Sequence, residues 1–334
     1  MLYIGNKLAV HGKNPTAIDE LSVKLEAVGY TVITAASQQN KLLRLLAMVG
    51  ATVKNRRGAE RVLIDTYSTQ NFYYAVSIAA LCRFFNLPYI PILHGGNLPD
   101  RLIKSKRLSH SLFGKAYANV APSKYMLHHF QKAGFHNLSY IPNTLEIADY
   151  PFKRRESITP KLLWVRSFSE IYNPLFALEI VAILKNKGHD VSLCMIGPDK
   201  DGTLETCKRK AAQLDLPITF TGKLPKKEWI LRSKEYDIFI NTTDFDNMPI
   251  SVMEAMALGL PVVSTHVGGM PFLIENGTDG SLVPPDDAEA FAEVLEALIA
   301  NPLKAQTMAK NARAKMENLD WEKVKHKWIK LLGE

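Results

Sequence analysis

The sequence predicts an α/β protein built from two domains, each with its own parallel β-sheet. Short apolar runs, typical of strands buried on both faces, alternate with longer segments of helical spacing along the chain. The alternation is interrupted by a charged, proline-containing stretch at 145–160 and then starts again. A length of 334 residues is sufficient for two domains of ordinary size. We therefore predict domains at 1–150 and 151–318, followed by a closing amphipathic helix at 319–334.

The first predicted domain opens with a strand at Met1–Ile4, a loop to Asn14 and a helix from Pro15 to Leu25. Later apolar runs predict strands at 30–34, 61–65, 88–94, 117–121 and 138–142. The opening loop lacks the Gly-x-Gly-x-x-Gly pattern of dinucleotide sites. The sequence therefore disfavours a nicotinamide or flavin cofactor.

Charge is distributed unevenly between the two halves. Residues 1–150 hold 17 Lys and Arg against 8 Asp and Glu, while the remaining residues are close to neutral. Such an excess suggests an anionic partner, which is a membrane surface, a pyrophosphate lipid or a nucleic acid. A nucleic acid is disfavoured because the basic residues lack interleaved aromatic residues and a known binding module.

A short helix predicted at 41–49 combines leucines with basic side chains, and two basic clusters follow it. The clusters are Lys54, Arg56, Arg57 and Arg61, and Arg101, Lys104, Lys106 and Arg107. A basic amphipathic helix can lie in a membrane interface. The same pattern also fits a buried leucine face with solvated charges, so both interpretations stay open.

The second predicted domain repeats the alternation of strands and helices. Its main elements are strands at 161–166, 191–197, 237–241 and 260–264 and a helix at 249–258. Ligands of doubly wound sheets bind at the carboxyl ends of the strands, which places Asp244, Asp246 and the Gly268-Gly269 pair at a site edge. A helix that starts at Pro249 favours an anion there, and a diphosphate is the obvious candidate.

The stretch from Asp244 to Pro271 also carries a family resemblance. An acid, seven residues and a Glu precede Ala-Met-Ala-x-Gly-x-Pro-Val-Val and a Gly-Gly-x-Pro turn. This string resembles the nucleotide-sugar signature of family 4 retaining glycosyltransferases. The resemblance implies the GT-B fold, in which two Rossmann-like domains face a central cleft and a C-terminal helix crosses back to the first domain. It also implies that Glu254 binds the donor ribose and that Asp246 faces the transferred sugar. Taken singly, these acids also fit a helix cap and an exposed helical acid.

Further site residues are implied by the same resemblance. It places His94 beside the reacting sugar and Arg166 on the donor phosphates, where a planar guanidinium suits two phosphate oxygens. The other residues implied near the donor are Gly12, Gly197, Lys223, Asn247, Met248, Pro249 and Ile250. Gly12 is equally well explained as a turn residue, and Gly197 as a turn glycine needs no function. The Lys that the family usually has shortly after this Arg is missing, and Tyr172 and Asn173 are the hydrogen-bond donors available instead.

The resemblance therefore implies transfer of a sugar from a nucleoside diphosphate sugar to a saccharide or polyprenyl-pyrophosphate-linked acceptor, in cell-surface glycan biosynthesis. It implies retention of the anomeric configuration, with no metal and no further cofactor. The alternatives are a nucleotide-sugar epimerase of GT-B fold and a non-catalytic, nucleotide-sugar-binding scaffold subunit, which the missing Lys suggests. Short apolar runs, an N-terminus without a secretion signal and few cysteines predict a cytoplasmic protein, with contact to the inner face of the membrane as an option.

Overall fold

The computed structural model describes residues 1–7, 9–11 and 15–333. Within these ranges the chain divides into two compact units, and each unit contains a parallel β-sheet. Unit 1 comprises Met1–Pro142 and the C-terminal residues from Lys327 onward, and unit 2 comprises Asn143–His326. The predicted α/β class with two parallel sheets is confirmed.

Unit 1 is built from short strands joined by helices. Its strands are β1 (Leu2–Ile4), β2 (Ile33–Ala35), β3 (Val62–Thr66), β4 (Tyr89–Leu93), β5 (Asn119–Ala121) and β6 (Leu138–Tyr140). Its helices include α1 (Ala17–Ala27), α2 (Lys41–Asn55), α3 (Asn71–Phe84), α4 (Leu98–Lys104), α5 (Lys106–Phe113) and α6 (Lys124–Lys132). The helix predicted at 41–49 extends to Asn55, since Gly50 is tolerated within it.

The strand order of the unit 1 sheet is β2-β1-β3-β4-β5-β6, and it indicates at which strand ends a ligand would bind. β2 lies on one side of β1, and β3 to β6 lie on the other, so the direction of winding reverses between β1 and β3. Ligands of such sheets bind at the carboxyl ends of the strands beside the reversal. β3 and β4 run next to each other and are buried along their whole length, which explains their mostly apolar sequences.

Unit 2 follows the same plan. Its strands are β7 (Lys161–Val165), β8 (Ser192–Ile196), β9 (Ile218–Gly222), β10 (Ile238–Asn241), β11 (Val262–Thr265) and β12 (Ser281–Val283). Its helices include α7 (Pro174–Asn186), α8 (Thr203–Gln213), α9 (Lys226–Arg232), α10 (Ile250–Ala257), α11 (Met270–Leu273), α12 (Ala288–Ala300) and α13 (Pro302–Glu317). The last helix of the chain, α14 (Trp321–Gly333), begins in this unit.

The sheet of unit 2 has the order β12-β11-β10-β7-β8-β9, which is the Rossmann order, with its reversal between β7 and β10. Successive residues of β7 point to opposite faces of the sheet. Leu162 and Trp164 belong to the apolar core that contains residues of α7 and α12, and Leu163 belongs to the core that contains residues of α10. The central strands are therefore covered on both faces, and their carboxyl ends are left to form a site.

The division between the units falls at Pro142, earlier than the predicted boundary at 150. Leu145 N donates to Leu319 O at 3.1 Å, and Leu145 O accepts from Trp321 N at 3.0 Å. These bonds tie the segment after Pro142 to the turn before α14, so it packs as part of unit 2. The helix predicted at 319–334 is present as α14, and its last turns group with unit 1.

The longer helices of both units carry charged residues along their length. α2 spans 15 residues and α13 spans 16, and both contain lysines. Within the described ranges, no helix combines the length and the apolar composition that crossing a lipid bilayer requires.

Candidate functional site

Two loops meet where the strand order of unit 2 reverses. Arg166 follows β7 directly, and Asp246 lies in the loop between β10 and α10. Arg166 Nη2 and Asp246 Oδ2 form an ion pair, and the two side chains are only 12% and 18% exposed. The structure thus brings together the two residues that the sequence analysis assigned to the donor phosphates and to the transferred sugar.

Arg166 is also held by Tyr172. The guanidinium carbon lies 4.0 Å from the centre of the Tyr172 ring, which is a cation–π contact. Burial lowers the pKa of Arg166, and the neighbouring Tyr172 opposes this shift. Among the described residues, the buried Arg166 Nε atom has no hydrogen-bond acceptor. A guanidinium with an unused buried donor is suited to bind a further anion.

The glycine pair after β11 allows the Asp246 loop to approach. Gly269 N donates to Asp246 O at 2.8 Å, and Asn247 N donates to Asp246 Oδ1 at 2.6 Å. A Cβ atom on Gly269 would lie 1.7 Å from Asn247 O, and one on Gly268 would lie 2.3 Å from Asp246 O. No side chain fits either contact, so this Gly-Gly turn is required to position the Asp246 carboxylate.

Gly197 has a comparable role beside Arg166. It follows β8, and a Cβ atom on it would lie 1.7 Å from Arg166 O. Gly197 N donates to Gly222 O at 2.9 Å, and Arg166 N donates to Ile196 O at 3.0 Å. The missing side chain lets the strand ends pack closely and fixes the Arg166 backbone. Lys223 follows in the next loop and its side chain is exposed.

The start of α10 differs from the sequence prediction. Pro249 precedes the helix as its N-cap residue, and Ile250 is the first helical residue. The N-cap residue Pro249 makes no side-chain capping hydrogen bond, and Asp246 is not the N-cap residue. Met248 is buried in the core, whereas Ile250 is 38% exposed. The helix thus begins with backbone N–H groups that need an acceptor from outside the helix.

Glu254, within α10, is 5% exposed and is therefore not a solvated helical acid. Its Oε1 atom accepts from Tyr150 OH at 2.7 Å and lies 3.0 Å from Lys226 Nζ. These two donors fix the direction of a buried carboxylate. The sequence analysis did not find Tyr150 or Lys226, because neither lies near Glu254 in the chain and neither belongs to a recognisable pattern.

Asn173 stabilises the loop in which the usual Lys is missing. It has a φ of 43°, a left-handed conformation that Asn tolerates. Its Oδ1 accepts from Phe176 N at 3.3 Å, and its Nδ2 donates to Asp244 Oδ1 at 2.9 Å. The pKa of Asp244 is raised above its ordinary value, mainly by burial. The hydrogen bond from Asn173 opposes this shift, and the charge of Asp286 adds to it. Asn173 is thus engaged in loop structure, and Tyr172 is the residue that contacts Arg166.

In unit 1, the predicted His94 lies at the carboxyl edge of the sheet, directly after β4. Its Nε2 atom lies 2.9 Å from Oδ1 of Asp65, a buried residue of β3. The His94 ring stacks on Tyr67, with 5.4 Å between the ring centroids. The sequence analysis treated Asp65 only as the end of a strand. Gly12, predicted near the donor, lies outside the described residues.

In the described ranges, we find neither a reactive thiol site nor a metal site. Cys82, Cys194 and Cys207 are buried free thiols. Burial raises the pKa of Cys82 to about 12 and that of Cys207 to about 11, so both stay protonated and unreactive at neutral pH. Within the described part of the chain, no group of three or more His, Cys, Asp or Glu is placed to hold a metal ion.

Solved structures with the same architecture identify the fold class. HepE of Anabaena, solved with UDP and glucose, has a TM-score of 0.77 at 18% identity, covering 100% of this chain and 99% of that chain. The sucrose-phosphate synthase of Thermosynechococcus elongatus has a TM-score of 0.80 at 16% identity, covering 99% and 97%. The fold is therefore GT-B, the glycosyltransferase fold with two Rossmann-like domains.

The family model of glycosyl transferases group 1 matches residues 148–315, which is half of the chain. This range contains Arg166, Asp246 and Glu254. The chain belongs to the group 1 family of glycosyl transferases.

Curated relatives are similar over the same part of the chain. The amylovoran biosynthesis glycosyltransferase AmsK of Erwinia amylovora is 30% identical over 184 residues, which cover 49% of this chain and 45% of that protein. The sulfoquinovosyl transferase SQD2 of Arabidopsis thaliana is 29% identical over 148 residues, which cover 43% of this chain and 28% of that protein. The matched part is thus less than half the length of these relatives.

Proposed function

We propose that this chain is a family 4 retaining glycosyltransferase, which moves a sugar from a nucleoside diphosphate sugar to a saccharide or polyprenyl-pyrophosphate-linked acceptor in glycan biosynthesis. The proposal rests on the Arg166–Asp246 pair at the reversal point of the unit 2 sheet, with the buried Arg166 Nε lacking an acceptor among the described residues. A diphosphate supplies the oxygen acceptors that this guanidinium lacks. Membership of the group 1 family supports a nucleotide-sugar donor.

Donor binding uses three groups of unit 2. Arg166 donates to the diphosphate oxygens, and the first N–H groups of α10 favour the same anion. Glu254 accepts from the ribose hydroxyls, in a direction fixed by Tyr150 and Lys226. Negative charge develops on the diphosphate as it leaves, and Arg166 and α10 stabilise that charge without a metal ion.

In this proposal, donor binding changes the partner of Asp246. The diphosphate takes over the Arg166 guanidinium, and the Asp246 carboxylate is released toward the hydroxyls of the transferred sugar. Tyr172 keeps the guanidinium in place during this exchange, so less side-chain entropy is lost on binding. Because the usual second cation is missing, donor affinity depends strongly on Arg166.

Unit 1 is the proposed acceptor side, in contact with an anionic membrane surface. Leu42, Leu43 and Leu46 in α2 are 66%, 55% and 57% exposed, and Ile103 in α4 is 81% exposed. The exposure of these leucines supports the interfacial interpretation of this helix, although the helix buries Met48 and Thr52 on another face.

Arg44 is buried and donates to backbone oxygens, whereas Lys41 and Lys54 of the same helix are exposed. Exposed leucines on a helix with exposed lysines favour an anionic lipid interface. Such a surface suits a polyprenyl-pyrophosphate acceptor at the inner face of a membrane.

Donor binding is tested by thermal unfolding with UDP, GDP, ADP and their sugar conjugates, without added metal. A ligand at about a hundred times its Kd stabilises by roughly 2.7 kcal/mol, a shift of several degrees. We expect one nucleotide family to stabilise the protein and Arg166→Ala to abolish the shift. The exposed Arg209 provides a matched control in unit 2, since Arg209→Ala should keep it.

The reaction itself is tested by incubating that donor with saccharide and lipid-linked acceptors and determining the product by NMR. A product with the donor's anomeric configuration supports the retaining assignment, and an inverted product contradicts it. Conversion of the nucleotide sugar to its epimer without an acceptor would indicate the epimerase. Binding of a nucleotide sugar with neither transfer nor epimerisation would indicate the scaffold, and failure of every nucleotide to stabilise the protein would contradict the proposed donor site.

A further inference from the structure

Three neighbouring strands of unit 1 contribute side chains to one hydrogen-bonded group. Tyr3 comes from β1, Asp65 from β3 and His94 from the residue after β4, and these strands pair side by side. Tyr3 OH donates to Asp65 Oδ1 at 2.8 Å, and His94 Nε2 lies 2.9 Å from the same oxygen. Tyr3 and the Asp65 side chain are buried, whereas the His94 side chain is 13% exposed. His94 is therefore the member of the group that reaches the surface.

Both contacts of the Asp65 carboxylate converge on Oδ1. The other oxygen, Oδ2, is buried and has no hydrogen-bond partner among the described residues. It faces the backbone of Gly5, on which a Cβ atom would lie 2.5 Å from Oδ2. Among the described residues, Oδ2 therefore makes no hydrogen bond, and the polar contacts of the carboxylate lie on Oδ1.

The proton on the His94 ring follows from this arrangement. Burial, followed by the Asp65 charge, raises the pKa of Tyr3 well above its ordinary value, so Tyr3 is a neutral phenol that donates. A carboxylate can only accept hydrogen bonds, so when Oδ1 of Asp65 accepts from both neighbours, Nε2 of His94 carries the proton that lies between them. With Nε2 protonated in the neutral ring, the Nδ1 atom holds a lone pair and is a hydrogen-bond acceptor.

We propose that Asp65 is a positioning residue, which holds His94 as the neutral Nε2–H tautomer so that Nδ1 accepts a hydrogen bond from a hydroxyl group of the substrate sugar. Stacking of the ring on Tyr67 fixes its plane, and the bond to Asp65 fixes its rotation and tautomer. An Nδ1–H tautomer or an imidazolium would present a donor at that position instead. The sugar hydroxyl as partner rests on the proposed transfer function, whereas the tautomer does not.

The tautomer is measured directly by long-range ¹H–¹⁵N NMR of histidine-labelled protein in mildly alkaline buffer. The chain has 9 His residues, so a His94→Gln variant identifies the His94 signals. We expect the Nε2–H tautomer for His94 in the wild-type protein. An Nδ1–H tautomer, an imidazolium or a tautomer mixture would overturn the proposal, and this result requires neither donor nor acceptor.

Asp65→Asn tests the part played by the carboxylate, because its amide nitrogen can donate to Nε2 and favour the opposite tautomer. We expect the His94 signals to change in this variant and to stay unchanged in Tyr3→Phe, which removes only the other hydrogen bond to Oδ1. The signals of His189, which pairs with Glu296 at 2.7 Å in unit 2, serve as an internal reference. Unchanged His94 signals in folded Asp65→Asn protein would contradict the proposal.

Activity gives the second readout. With the donor and acceptor established, Asp65→Asn should lower kcat on the order of tenfold while donor Kd stays close to that of the wild type. Equal kcat in the two proteins would contradict the positioning role. If the wild-type protein transfers no sugar at all, the proposed function fails, but the NMR result still decides the tautomer.

Discussion

Arg166, which follows β7, and Asp246, in the loop after β10, form an ion pair. β7 and β10 are the neighbouring strands between which the strand order of unit 2 reverses. Each residue comes from the carboxyl end of its own strand, and each is largely buried. The contact matters because a diphosphate bound to Arg166 and the Asp246 carboxylate would compete for one guanidinium. The charge of Asp246 is therefore expected to oppose diphosphate binding and to act on the sugar instead.

Replacing Asp246 separates these two effects. Asp246→Asn removes a negative charge from the diphosphate site, so we expect the isolated nucleoside diphosphate to bind about tenfold more tightly, or about 1.4 kcal/mol. Sugar transfer should fall in the same variant. Titration calorimetry with the nucleotide, alongside a transfer assay, measures both. Asp244→Asn is the matched control, because it removes the same charge from a nearby carboxylate that bonds to Asn173. An equal gain in nucleotide affinity in both variants would refute competition between Asp246 and the diphosphate for Arg166.

Glu254 is expected to bind ribose rather than to serve only the fold. Glu254→Gln should weaken donor binding by about tenfold, or about 1.4 kcal/mol, because a carboxylate accepts more strongly than an amide from a hydroxyl. A deoxyribose donor should bind wild type less tightly, yet bind Glu254→Gln with little further loss. Tyr150→Phe keeps the Glu254 carboxylate and should therefore weaken donor binding less than Glu254→Gln does. Additive losses from the variant and the deoxy donor would rule out the ribose contact.

The close approach at Gly269 predicts a local stability effect. Gly269→Ala places a Cβ atom 1.7 Å from Asn247 O, and the strain should lower the free energy of unfolding by about 1–3 kcal/mol. Donor affinity should fall as well, since the Asp246 loop must shift. Gly50→Ala is the control, because nothing lies within 4 Å of its added Cβ; it should stabilise α2 by about 0.5–1 kcal/mol. Equal melting temperatures for the two variants would contradict this account.

The exposed leucines of α2 predict binding to anionic vesicles. A Leu42→Ser/Leu46→Ser variant should lose most of its co-sedimentation with vesicles that contain phosphatidylglycerol, because the apolar area available for burial is removed. Binding by the wild type should also weaken at high salt, since the basic residues contribute through screened charges. Leu303, 73% exposed in unit 2, supplies the control variant Leu303→Ser. Undiminished binding by the α2 variant would exclude this surface.

The sequence by itself determined the elements of the fold and one of the site's loops. Apolar runs and helical spacing located the strands and most helices, because burial on a parallel sheet imposes a periodicity that is local in the chain. The Gly268-Gly269 turn was also recognised in the sequence. The structure shows why glycine is needed there, since no side chain fits the backbone contacts at those positions. Asp246 and Glu254 were predicted as site residues from a pattern of fixed spacing, and Arg166 was predicted from its place at the end of a strand.

Only the tertiary structure decided which side chains meet. Tyr150 and Glu254 are 104 residues apart, and Asp65 and His94 are 29 apart. The order of strands and the packing of helices bring these pairs together, and neither is encoded in the spacing of residues along the chain. The burial of Glu254 and the exposure of the α2 leucines were open for the same reason. Amphipathic spacing tells which residues share a face, whereas the neighbouring elements determine whether that face is covered.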